Sequence, residues 1–141
     1  MSNFSLNDKV NRVCLIAGLP GSGKSFLGNQ LARQIGGLFL DDICRTSGTR
    51  RLKECFTSEM VIVADPSLCR LVNRLCAEKM VKEHHPDCEI EWVFFENAPD
   101  KCWANVQHRN DGRIVTKYTI QNLSRVYIIP EDAEVVEVWQ K

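Results

Sequence analysis

A chain of 141 residues with 44% hydrophobic and 26% charged content has the profile of one soluble globular domain over residues 1–141, and a second domain is not expected within it. Eighteen Lys plus Arg balance eighteen Asp plus Glu, which excludes a broad positive field for coating polyanions while leaving room for a local basic patch. Apolar runs such as Val13–Ala17 and Trp92–Phe95 are far below the ~20 residues that cross a bilayer. The first residues lack a basic segment leading into an apolar one, so no membrane partner and a cytoplasmic location are expected.

In chain order, Arg12-Val13-Cys14-Leu15-Ile16-Ala17 is a continuous apolar run entering a Gly-rich turn, the pattern of a buried parallel strand. From Lys24 to Ile35 the apolar residues Leu27, Leu31, Ala32 and Ile35 recur at helical spacing, and Gly36-Gly37 ends the helix. Leu38-Phe39-Leu40 is a short second strand closed by Asp41-Asp42. Residues 43–57 are polar and basic with some helical character. Met60–Ala64 is a third buried strand, ending at Asp65-Pro66, a good helix start. Leu68, Leu71, Val72, Leu75, Cys76 and Met80 then form the clearest amphipathic stripe in the chain.

Pro86-Asp87 turns the chain into a fourth strand, Glu89–Phe95. A helix opens at Asn97-Ala98-Pro99-Asp100 and runs to about His108, followed by the loop Asn110-Asp111-Gly112. Thr116–Tyr127 reads as a last helix with Ile120, Leu123 and Tyr127 on one side, and Glu134–Trp139 as a final strand. Strands alternating with helices predict an α/β fold: a doubly wound, mainly parallel sheet of about five strands with helices on both faces. Seven cysteines without a C-x-x-C pair read as free thiols. His84, His85 and Cys88, with Cys76 as a further candidate, have ligand chemistry, but Pro86 between them and the lack of a second paired half favour a helix end and turn.

One motif carries chemistry. Gly18-Leu19-Pro20-Gly21-Ser22-Gly23-Lys24-Ser25 fits G-x-x-x-x-G-K-[ST] at every fixed position and lies between a predicted strand and a predicted helix. Its glycines let backbone N–H groups converge on phosphate oxygens, and the following helix points its positive end at them. Lys24 is expected to reach the β- and γ-phosphates and Ser25 to bind Mg²⁺ through its hydroxyl, with Phe26 counted as the last residue of the nucleotide site. The chain has no N-K-x-D element for guanine and no Leu-Ser-Gly-Gly signature. A compact phosphotransferase is the class that survives.

Such an enzyme needs a group that takes a proton from the acceptor and cations that hold the phosphates. Asp41 and Asp42 end the second strand, and Arg45 follows three residues on, on the same face of a helical turn. One of the two acids is expected as the base, Asp42 ahead of Asp41; the other reads as a cap. Arg45, Arg50, Arg51 and Lys53 form the local basic patch, an acceptor-binding surface or a solvated face. Asp65 occupies the place of an acid that holds Mg²⁺ through water, and equally that of a helix cap. Arg109 and Arg113 flank a loop that reads as a phosphate-covering lid or as a surface turn.

In their order these segments resemble the 5′-kinase domain of phage-type polynucleotide kinases and related small AAA-like kinases. The resemblance rests on the P-loop, on Asp42 with Arg45 three residues beyond, on Val61-Ile62-Val63-Ala64-Asp65, and on Arg109-Asn110-x-x-Arg113. It implies ATP and Mg²⁺ as cofactors, Asp42 as general base on a hydroxyl, Arg45 on the acceptor's phosphate, and Arg109 and Arg113 on the phosphates of ATP. The implied acceptor is a polynucleotide 5′ end or a nucleotide-like molecule. A kinase of a free nucleoside, nucleotide or small metabolite, and a regulatory protein that binds nucleotide without an acceptor, are the alternatives.

Overall fold

The computed structural model describes residues 12–41, 60–109 and 115–139, the side chain of Asp41 excepted. Its strands are β1 (Arg12–Ala17), β2 (Leu38–Asp41), β3 (Met60–Ala64), β4 (Glu89–Phe95) and β5 (Val135–Val136); its helices are α1 (Lys24–Ile35), α2 (Leu71–His84), α3 (Pro99–His108) and α4 (Lys117–Val126). The sheet has the order β2-β3-β1-β4-β5, and every neighbouring pair is parallel. β1 and β3 are buried along nearly their whole length, which is why both read as unbroken apolar runs rather than alternating ones.

Strand order decides where the helices go. The β1-to-β2 connection passes β3 in one direction, and the β3-to-β4 connection passes β1 in the other. Right-handed crossovers therefore put α1 and α2 on opposite faces, and α1 packs over β3. In register, Ile16 and Asp41 each stand beside Ala64, Ala17 beside Phe94, and Phe95 beside Val136. The ends of all five strands share one edge, and the Gly-rich turn leaves from its centre.

Two expectations change. The helix expected from Asp65 onward is broken: Pro66–Cys69 is a 3-10 turn, and Arg70 is extended at φ −94°, ψ 132° before α2 begins. The turn carries Leu68 and Cys69 into the core, and the break rotates α2 about its own axis. Arg74, Ala77 and Val81 face inward, while Leu71, Val72 and Leu75 are exposed. Second, β5 covers only two of the residues read as a strand from Glu134 to Trp139. The ladder stops because the Glu96 side chain accepts the Val138 N–H at 3.0 Å, just after the Glu96 N–H donates to the Val136 carbonyl at 2.8 Å.

α3 and α4 fall where helices were expected, with Ile120 and Tyr127 buried. Among the described residues no helix is long and apolar enough to cross a membrane, and no His, Cys, Asp and Glu group has the geometry of a metal site.

Candidate phosphate-binding site at the carboxyl edge

The β1–α1 turn folds around its own backbone. Ser22 N–H donates to the Leu19 carbonyl at 3.1 Å, and Leu27 N–H to the Gly23 carbonyl at 3.0 Å. Gly21 and Gly23 have φ of +86° and +106°, a region in which L side chains are strained. Space also dictates the residue at 21, where a Cβ would lie 2.4 Å from the Cys102 carbonyl oxygen. α3 thus backs the loop, and Asn105 fastens it by donating from Nδ2 to the Gly21 carbonyl (3.0 Å) and to the Trp139 carbonyl (2.7 Å).

Gly23 supplies α1 with no side-chain cap, so the first N–H groups of the helix are presented to the loop. Such an N-terminus suits an anion. Lys24 is buried, and its Nζ donates to the Leu19 carbonyl at 2.8 Å, which holds the ammonium along the loop it serves. Ser25 is half-buried in the first turn of α1. Phe26 is exposed and lies off the face that buries Lys24, Gly28 and Ala32.

One strand away, Asp65 is buried at the end of β3. Its Oδ1 accepts the Ser67 N–H at 2.8 Å, so it caps the 3-10 turn. Its carboxylate and the Ser25 hydroxyl are hard oxygen donors, a chemistry that fits Mg²⁺. Two thiols adjoin the loop. Burial pushes Cys69 and Cys102 up to about 11, against the opposing pull of the Lys24 charge on both and of the Gly18 backbone on Cys69.

Asp41 is the last residue of β2, on the same edge. Arg109 ends α3 half-buried, its N–H donating to the Val106 carbonyl at 3.1 Å. Asp42, Arg45, Arg50, Arg51 and Arg113 lie outside the described residues. The structure brings together at one edge the loop, Lys24, Ser25, Asp65 and the backbone of Asp41. Sequence reasoning places Tyr127 on the inward side of the last helix but not its hydroxyl's role, and it misses Asn105 and Arg74. Of the two missed residues only Arg74 leaves a trace, as a charge set among Leu71, Val72 and Leu75 in an apolar stripe.

A five-stranded parallel sheet in this order, with a complete phosphate-binding loop leaving its central strand, defines the P-loop α/β class. The same fold occurs in a gluconokinase from Sinorhizobium meliloti, at 19% identity over 93% of this chain and 84% of that one, with a TM-score of 0.62. It occurs too in a sugar kinase from Janibacter sp., at 15% identity over 93% of this chain and 87% of that one, TM-score 0.63. A shikimate kinase from Acinetobacter baumannii is similar at 15% identity over 97% of this chain and 88% of that one, TM-score 0.52. No protein-family model matches the chain. In sequence it is 32% identical, over 111 residues, to an uncharacterized protein of Acanthamoeba polyphaga mimivirus, a match covering 72% of this chain and 75% of that one. The chain belongs to the same family as that viral protein.

Proposed function

We propose that the protein is an ATP- and Mg²⁺-dependent kinase that moves the γ-phosphoryl group of ATP to an alcohol. The observation that carries this reading is the complete loop at the carboxyl edge, with its two positive-φ glycines and Lys24 held beside it. In the transfer, the acceptor oxygen bonds to the γ-phosphorus as the bond to the β,γ-bridging oxygen breaks and ADP leaves. Asp42 takes the acceptor's proton, with Asp41 next to it as the other candidate. Backbone N–H groups of residues 21–25, Lys24, Arg109 and Arg113 stabilise the charge spread over the phosphoryl oxygens. Ser25 and Asp65 would hold Mg²⁺, which supplies charge neutralisation on the β- and γ-phosphates when bound.

The acceptor we favour is a small polar metabolite with several hydroxyls. Support comes from the chain's span of 84–88% of structures described as gluconokinase, sugar kinase and shikimate kinase. A polynucleotide 5′ end is the second reading, favoured by Arg45 following Asp42 at three residues and by the basic run through Arg50 and Arg51. Transfer of labelled γ-phosphate to a panel of sugar acids, polyols, shikimate, nucleosides and 5′-hydroxyl oligonucleotides separates the two. Labelling of a metabolite supports the first and labelling of oligonucleotides alone the second. ATP binding with no acceptor labelled would leave a nucleotide-binding regulator in place of both.

A further inference from the structure

Arg74 is 7% exposed, and among the described residues no carboxylate pairs with it. A guanidinium taken out of water needs its donors satisfied, and backbone carbonyls do this here. Nε donates to Leu68 at 2.7 Å, Nη2 to Cys69 at 3.2 Å and Nη1 to Ile128 at 2.8 Å. Its carbon lies 4.9 Å from the centre of the Phe94 ring and 5.6 Å from that of Tyr127, where ring faces favour a cation.

The three carbonyls do not belong to one element. Leu68 and Cys69 belong to the turn that Asp65, the acid at the end of β3, caps; Ile128 lies just past α4. The same turn is held from α2 by Asn73, whose Nδ2 donates to the Ser67 carbonyl at 2.9 Å. Under the guanidinium, the single hydroxyl proton of Tyr127 is shared between the Phe95 carbonyl and, at 3.3 Å, the carbonyl of Ala17, the last residue before the P-loop. Arg74 therefore stands between the Asp65 turn, the root of the loop and the exit from α4.

We propose that Arg74 is a positioning residue for the cation side of the site: it fixes the Asp65–Arg70 turn against the root of the P-loop and the end of α4, and so fixes where the Asp65 carboxylate sits. This rests on the reading of Asp65 as a Mg²⁺-holding acid in a kinase. A lysine at 74 keeps the charge but cannot reach three divergent carbonyls, so the turn loses its hold while the core keeps its volume.

The test measures binding of a fluorescent ATP analogue with Mg²⁺ and in EDTA, next to phosphoryl transfer and thermal melting without nucleotide. Arg74→Lys is expected to lose about fivefold or more of the Mg²⁺-dependent gain in affinity, with affinity in EDTA nearly unchanged. Asp65→Asn should lose the same gain, and the double variant should be no worse than Asp65→Asn alone. If Arg74→Lys does not fold, Asn73→Ala, which frees only the Ser67 carbonyl, is expected to lose part of the gain. Equal losses with and without Mg²⁺, or losses that add to those of Asp65→Asn, overturn the proposal in favour of a purely structural arginine. Failure of the wild type to phosphorylate any acceptor while its Mg²⁺-dependent gain survives sinks the kinase reading alone. Absence of that gain in the wild type sinks both.

Discussion

At Gly21 two independent constraints meet. Its φ of +86° lies where a Cβ costs about 1–2 kcal/mol, and the Cys102 carbonyl would sit 2.4 Å from that Cβ. Gly21→Ala is expected to lower the unfolding free energy by about 2 kcal/mol or more and to weaken nucleotide binding, because the loop must retreat from α3. Urea unfolding and nucleotide titration check this, and unchanged stability would contradict it. The thiols give a second expectation. Burial raises Cys14, Cys69 and Cys102 from 9.0 to about 11, so folding favours their neutral form. Their contribution is fully present below pH 9 and is lost as pH rises toward 11, by up to about 3 kcal/mol per thiol. Denaturant midpoints measured from pH 7 to 11 should fall above pH 9, with a shallower fall in Cys14→Ala. The loop residues are legible in sequence because their job is local and fixes their types at fixed spacing. Asn105 and Arg74 are not: Asn105 reaches Gly21, 84 residues away, and Arg74 ties the nearby Leu68 and Cys69 carbonyls to Ile128, 54 residues on.

At the scale of elements, α2 shows what a periodic pattern does and does not determine. Leu68, Leu71, Val72 and Leu75 sit at helical spacing, and a helix indeed runs through most of them. Which face it buries depends on its phase, and the 3-10 turn ahead of it sets that phase. With Asp65 capping the turn and Arg74 holding its carbonyls, the inward face becomes Arg74, Ala77 and Val81. Val81→Ala is therefore expected to cost about 2 kcal/mol, while Leu75→Ser stays within about 0.5 kcal/mol, both read from chemical denaturation. The reverse ranking would restore the face expected from the stripe. α4 was legible in type and in face because Thr116 accepts the Thr119 N–H at 3.1 Å and nothing breaks the helix before Tyr127. β5 is shorter than the run Glu134–Trp139 suggests, because that run does not reveal that the Glu96 side chain takes the next ladder position.

For the whole molecule, the alternation of apolar runs and helices was enough for a parallel α/β sheet, but not for the order β2-β3-β1-β4-β5, which depends on how far each crossover travels. The site is legible through a geometric rule instead: in parallel sheets, ligands bind where strands end, and the sequence alone sets Lys24, Asp41 and Asp65 at such ends. The ties across that edge link the strands to one another: Tyr127 joins the ends of β1 and β4, Glu96 joins β4 to β5, and Asn105 joins the loop to the residues after β5. A ligand bound only in the native state must then stabilise the sheet as a unit. With Mg²⁺ and ATP at about a hundred times the dissociation constant, the gain is about 2.7 kcal/mol. Thermal unfolding should show one transition that moves up by several degrees, and Lys24→Ala should abolish the shift while leaving the fold intact. Two transitions, with only one responding to ATP, would contradict the single domain expected from a chain of 141 residues. A shift that survives in Lys24→Ala would move the nucleotide away from the P-loop.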